Sequence, residues 1–232
     1  MRVDLRLGDC LAILPTLPKE SFDSIVTDPP YGIDYQSAWR TDRGQWKPKI
    51  ANDLTPCIEW LPDAFRLTKQ EGALLCFCRW DVQETFRAAI ESAGFVVKSQ
   101  VIWDRGNHGM GDLSGSFAPQ HDVIWFATKG DFTFPGKRPS TIIRGMRLAA
   151  DKLVHPNEKP VSLMLQLVAS ITPKGGTVLD CFMGVGATGV ATIRRNCDFV
   201  GVEINESYFT IAKKRIEQAQ AQLTMPLGDS CE

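Results

Sequence analysis

The stretch "TVLDCFMGVGATGVAT", residues 177–192, followed shortly by "FVGVEI", residues 199–204, decides how this chain folds. An apolar run ends on an acid, Asp180, and glycines at 184, 186 and 189 open a segment of small and aliphatic residues. A second apolar run then ends on Glu203. Glycine frees the backbone from the limits a Cβ imposes, so the stretch reads as strand, tight turn, helix, strand and acid. A strand, a crossover helix and a second strand pair in parallel. Outward from this unit, further strands are expected at 2–7, 22–27, 72–78, 96–103 and 122–127, beside 177–180 and 199–203. Helices are expected near 57–69, 81–92, 160–171, 187–195 and 206–223, the last with Tyr208, Ile211, Ala212, Ile216 and Ala219 on one face. The expected fold is α/β, with one doubly wound, mostly parallel sheet of seven strands.

Composition bounds the rest. With 232 residues, 44% of them hydrophobic and 23% charged, one large domain spanning 1–232 is expected. No run of about 18 apolar residues occurs, and the opening "MRVDLRLGDC" alternates charge with aliphatic groups, so neither a membrane span nor a signal peptide is read and a cytoplasmic protein is expected. The seven cysteines lack disulfide-framework spacing, and His108, His121 and His155 stand apart from them. Reduced core thiols and no metal site are expected. A net charge of −1 excludes a globally basic nucleic-acid binder but not local basic patches. Two segments without clear periodicity supply such patches: 34–55 carries Arg40, Arg43, Lys47 and Lys49, and 128–157 carries Lys137, Arg138, Arg144, Arg147 and Lys152. In "IIRGMRLAA" a helical turn is expected to set Arg144 and Arg147 on one side.

The glycine spacing matches a dinucleotide fingerprint, with Glu203 where a ribose hydroxyl pair can be gripped. A pyrophosphate site runs its strand almost directly into the first glycine. Here "DCFM" intervenes. Asp180 instead suits a positive charge or a ribosyl hydroxyl, as in S-adenosylmethionine.

A second motif lies early in the chain. "TDPPYGIDY", residues 27–35, presents a carboxylate, two prolines and an aromatic ring directly behind the apolar run "FDSIV". Together "DPPY" and "VLDCFMGVGATG" resemble the amino-group DNA methyltransferases, which methylate adenine N6 or cytosine N4. "LGDCLAILPTLP", "HPNEKPVSLM" and "YFTIAKKRI" resemble the family's flanking segments, so the likeness runs over nearly the whole chain. The catalytic motif precedes the cofactor motif, as in the permuted beta group. Cys181 stands where the family usually has proline, and Val185 where serine is common.

The resemblance implies a Rossmann-like fold that binds S-adenosylmethionine. It implies cofactor contacts at Asp9, Cys10, Lys159, Asp180, Phe182, Gly184, Gly186, Thr188 and Glu203. Asp28, Pro29, Pro30 and Tyr31 take the catalytic place, and double-stranded DNA is the expected partner, held by the loop cations named above. A conjugated exocyclic nitrogen is a poor nucleophile. Two acceptors, the Asp28 carboxylate and the Pro29 carbonyl, can bind its hydrogens and concentrate density on nitrogen. Proline rings keep both acceptors aimed. The Tyr31 ring, rather than its hydroxyl, is expected to stack on a base flipped from the duplex. Adenine is favoured, because the family's cytosine N4 enzymes more often begin the motif with serine; RNA or a protein amide is the less favoured substrate. A homodimer and a restriction endonuclease partner both stay open.

Overall fold

The computed structural model describes residues 1–32, 54–108, 114–146 and 158–224. Along the chain these form β1 (Val3–Leu7), α1 (Cys10–Ile13), β2 (Phe22–Thr27), α2 (Leu61–Leu67), β3 (Thr68–Cys78), α3 (Gln83–Ser92) and β4 (Val96–Asp104). Next come β5 (His121–Thr128), β6 (Ile142–Arg144), α4 (Val161–Ile171), β7 (Thr177–Asp180), α5 (Ala187–Arg194), β8 (Asp198–Glu203) and α6 (Glu206–Thr224). The strands make one sheet in the order β1-β8-β7-β2-β3-β5-β4-β6, in which β5 alone runs antiparallel to its neighbours.

The sheet therefore has eight strands rather than the expected seven. The extra one, β6, pairs in parallel with β4 from Ile102↔Ile142 to Asp104↔Arg144, and the Ile102 amide donates to the Thr141 carbonyl at 2.7 Å. Three residues are too short to carry a periodic signal, and only tertiary pairing extends them. This strand also replaces the helical turn expected at Arg144, and Arg147 lies outside the described residues. A second boundary moves as well: β3 begins at Thr68, so Lys69 is in a strand instead of a helix. Backbone bonds from Glu71 to Lys129 at 2.8 Å and from Lys129 to Gly72 at 2.9 Å extend the pairing there.

Alternation along β3 explains the two-sided core. Leu74, Cys76 and Cys78 face the layer that holds α1, α2 and α3, while Ala73, Leu75 and Phe77 face α4, α5 and α6. Both faces are covered, so the strand reads as a continuous apolar run. The six described cysteines are free thiols, and all but Cys57 are buried. Among the described residues no helix is long and apolar enough to cross a membrane.

One feature of the strand order positions the site. β2 and β7 are neighbours, but the chain leaves β2 towards β3 on one side and leaves β7 towards β8 on the other. The connections diverge there, and a crevice opens beyond the carboxyl ends of the two strands.

Candidate active site

Beyond those strand ends lies a cavity of about 350 Å³. The glycine unit forms one wall. Glu203, at the end of β8, is 9% exposed and accepts from the amides of Gly184 at 2.9 Å and Asn205 at 2.8 Å. The strand-end acid thus holds the glycine turn in shape while a carboxylate edge stays on the cavity. Burial raises its pKa. Asp180, at the end of β7, is more enclosed at 3% exposure. It accepts from the Thr27 hydroxyl at 2.8 Å, the Phe182 amide at 3.1 Å and the Thr188 hydroxyl. Burial outweighs these bonds and lifts its pKa to about 6.

The glycines divide their tasks. Gly184 has φ +52°, and a Cβ there would meet nothing within 4 Å, so its missing side chain leaves cavity space. Gly186 does not reach the cavity. A Cβ at Gly186 would stand 3.0 Å from Ala212, and one at Gly189 would stand 2.4 Å from Ile216, so these two glycines let α5 pack on α6. Gly186, expected from sequence as a cofactor contact, is seen here in helix packing and is not among the residues that line the cavity. The other expected cofactor residues, Asp9, Cys10, Lys159, Asp180, Phe182, Gly184, Thr188 and Glu203, do line the cavity. Asp9 also caps α1, accepting from the Leu11 amide at 2.9 Å.

The opposite wall is the segment that follows β2, and Asp28, Pro29, Pro30 and Tyr31 all reach the cavity. The Pro30 carbonyl is taken by the Cys57 amide at 3.1 Å, and Tyr31 bridges to Pro56. Gly32 lies against that segment, where a Cβ would fall 2.3 Å from the Pro56 nitrogen. No described residue donates to the Pro29 carbonyl. Asp28 and Pro29 both line the cavity from this turn.

Three contacts were not anticipated from sequence. The Tyr31 hydroxyl donates to Asp28 Oδ1, so the hydroxyl has work of its own, and the ring packs edge-on against Phe86 at 6.4 Å between centroids. Lys159 lines the cavity, but its Nζ lies 2.5 Å from Asp28 Oδ2. Arg215 of α6 pairs with the buried Glu158 at 2.7 Å and donates to the Val185 carbonyl at 3.0 Å, tying the glycine turn to the segment before α4. All three join residues far apart in sequence or depend on a side-chain rotamer, and neither leaves a periodic trace.

The loop cations separate. Arg144 ends β6, the outermost strand beyond β3, β5 and β4 from β2; its side chain is 86% exposed and 3.8 Å from Asp104, and it is not among the residues that line the cavity. Lys137 and Arg138 are exposed on the segment that enters β6 from the other direction. Arg40, Arg43, Lys47, Lys49 and Arg147 lie outside the described residues.

Comparison with known proteins decides the family. The family model N6_N4_Mtase, DNA methylase, matches residues 22–214, which contain both walls of the cavity. The chain belongs to the N6/N4 DNA methylases. Among relatives of this methylase, YubD of Escherichia coli (strain K12), named as a methylase, is 30% identical over 217 residues, spanning 92% of this chain and 89% of its own. The type II methyltransferase M.HinfI of Haemophilus influenzae is 24% identical over 243 residues, spanning 91% of this chain and 67% of its own. Among solved structures, the M1.HpyAVI–SAM complex superposes with a TM-score of 0.71 at 24% identity, covering 92% of this chain and 99% of that one. The cytosine-N4-specific PvuII DNA methyltransferase superposes with a TM-score of 0.74 at 14% identity, covering 96% of this methylase and 93% of its own chain. At those identities the likeness is one of fold, the eight-stranded methyltransferase sheet with both families of helices.

Proposed function

We propose that this N6/N4 DNA methylase transfers a methyl group from S-adenosylmethionine to adenine N6 of a base flipped out of duplex DNA. The observation that carries the reading is that Asp28 and Pro29 of the DPPY turn line the same cavity that Glu203, Asp180 and Gly184 bound from the other side. The cavity fits the cofactor: an enclosed carboxylate at Asp180 suits a cation, Glu203 suits a hydroxyl pair, and Gly184 leaves room for backbone approach. When bound, S-adenosylmethionine supplies a methyl group activated on a sulfonium. The work of this chain is done on the nitrogen. Asp28 and Pro29 accept its two hydrogens, which raises electron density on the lone pair and stabilises the positive charge that develops there. One of those hydrogens then leaves as a proton to solvent, restoring a neutral amine.

Adenine is supported by the acid at the head of the motif, Asp28, and cytosine N4 is the second reading, since the same acceptors serve either amino group. Residues 1–232 act as one methyltransferase domain in this reading, with 34–55 and 128–157 contacting the duplex through their lysines and arginines. Arg144, exposed at the carboxyl end of β6, supports that placement. The test is to incubate the purified protein and S-adenosylmethionine with unmethylated DNA of varied sequence and analyse the nucleosides. N6-methyl-2′-deoxyadenosine is the expected product. N4-methylcytosine alone would overturn the base, and no methylated nucleoside would overturn the reaction.

A further inference from the structure

We propose that Lys159 is a positioning residue for the Asp28 carboxylate, acting with the Tyr31 hydroxyl as a two-point clamp, and that its ammonium is not spent on the cofactor. The inference rests on the reading of Asp28 as the acceptor for the target amino group. A carboxylate turns broadly about its terminal torsion, and nothing in the Pro-Pro turn stops that rotation. The clamp does. Tyr31 donates to Oδ1 from within the motif, and Lys159 donates to Oδ2 at 2.5 Å from the segment that leads into α4, 131 residues further along the chain. Rotating the carboxylate would break both bonds at once.

Lys159 is itself held. Its side chain is only 10% exposed, its ammonium sits 4.8 Å from the centroid of the Phe77 ring, and the proline that follows confines its backbone to extended conformations. Phe77 lies on β3, the neighbour of β2. Three elements therefore converge on one acid. A charge-assisted bond of this kind is about twice as strong as a neutral one, which suits a fixed strut more than a mobile ligand contact. Clamping does not use up the acceptor. Each carboxylate oxygen has two lone-pair sites, so one remains on each for an N–H donor.

The decisive experiment separates turnover from cofactor affinity in Lys159→Met. Misplacing a reacting group by about 1 Å costs about 100-fold in rate, so kcat at saturating S-adenosylmethionine should fall by about that factor while the cofactor Kd, from calorimetry, stays within about threefold. Lys159→Arg should recover part of the rate, since it returns a cationic donor. Asp28→Asn combined with Lys159→Met should be little slower than Asp28→Asn alone, because a strut without its load adds no further loss. Tyr31→Phe tests the other oxygen independently and needs no folded Lys159 variant: kcat should drop about tenfold or more with the cofactor Kd unchanged. The inference is overturned if Lys159→Met keeps its kcat and weakens the cofactor about tenfold, or if the losses in the double variant multiply. Wild-type protein that methylates no DNA would instead sink the reaction on which the inference rests, and that arm is run first.

Discussion

Asp28 directly follows β2 and Glu203 ends β8, on opposite walls of one cavity, and in the proposed reaction this separation divides their work. Asp28→Ala removes an acceptor aimed at charge that exists only in the transition state, so transfer should fall by about 100- to 1,000-fold with cofactor binding nearly intact. Glu203→Ala should do the reverse. It also strips the Gly184 and Asn205 amides of their acceptor, which costs about 1–3 kcal/mol where a buried donor is left unpaired, so its melting temperature should drop along with its cofactor affinity. Paired titration calorimetry and thermal melts check both variants. Asp180 makes a pH prediction. Its pKa is about 6 in the folded protein against an ordinary 3.8, so the folded form holds the proton more tightly than the unfolded chain does. The favourable contribution is complete below about pH 4 and is lost as pH rises through 6, an effect of about 3 kcal/mol at most for a shift of about two units. Asp180→Asn keeps an acceptor oxygen and never ionises. It should therefore melt above wild type at pH 7.5 and lose that advantage at pH 4.5, while binding the cationic cofactor more weakly. A constant offset between the two melting curves across this range would remove Asp180 as the titrating group.

At the scale of elements, the glycine unit serves two ends with one spacing. Gly184 opens space on the cavity, whereas Gly186 and Gly189 admit α6 to the surface of α5. Gly189→Ala should cost about 1–3 kcal/mol by overpacking against Ile216 and Phe199. Trimming Ile216 to valine in the same chain should return part of that loss, read as non-additivity in denaturant melts; additive losses would mean that the two side chains do not meet. The fingerprint was legible from sequence because strand, turn and acid fall within one short window, yet the window could not show which glycine served ligand and which served packing. The same limit governs the rest. The seven strands of four or more residues were readable, β2, β3, β5, β7 and β8 from apolar runs left by burial on both faces, and β1 and β4 from apolar residues alternating with polar ones. β6 was not, because three residues are too few for a periodic signal and take their strand form from pairing with β4. DPPY announced its acceptors, but the Lys159 and Arg215 contacts bring together residues from separate elements, and only the folded topology sets those distances.

Taken whole, a molecule with a net charge of −1 must concentrate its cations to hold a polyanion, and Arg144 stands exposed at the carboxyl end of β6, the same end of the sheet on which the cavity opens. If Arg144 neutralises one phosphate, Arg144→Ala should weaken duplex binding and shallow the log–log salt slope by about one, leaving cofactor affinity unchanged. A slope equal to that of wild type would move the contact to other cations of the two loops. The seam between β2 and β7 has a wider meaning. One half of the sheet carries the acceptors and the other carries the glycine unit, and they meet through only Ser24↔Val178 and Ile25↔Leu179. Across that short ladder run three polar bonds, from the Thr177 amide to Asp23 at 2.8 Å, between Ser24 and Thr172 at 2.7 Å, and from Thr27 to Asp180 at 2.8 Å. Apolar surfaces tolerate sliding because any close packing will do; directional bonds accept one alignment. Asp23, Ser24 and Thr27 thus act as the teeth of a key, setting the machining tolerance between the half that carries the DPPY turn and the half that carries the glycine unit. Chimeras that graft residues 172–224 from another member of the family should inherit good alignment only where those teeth are matched.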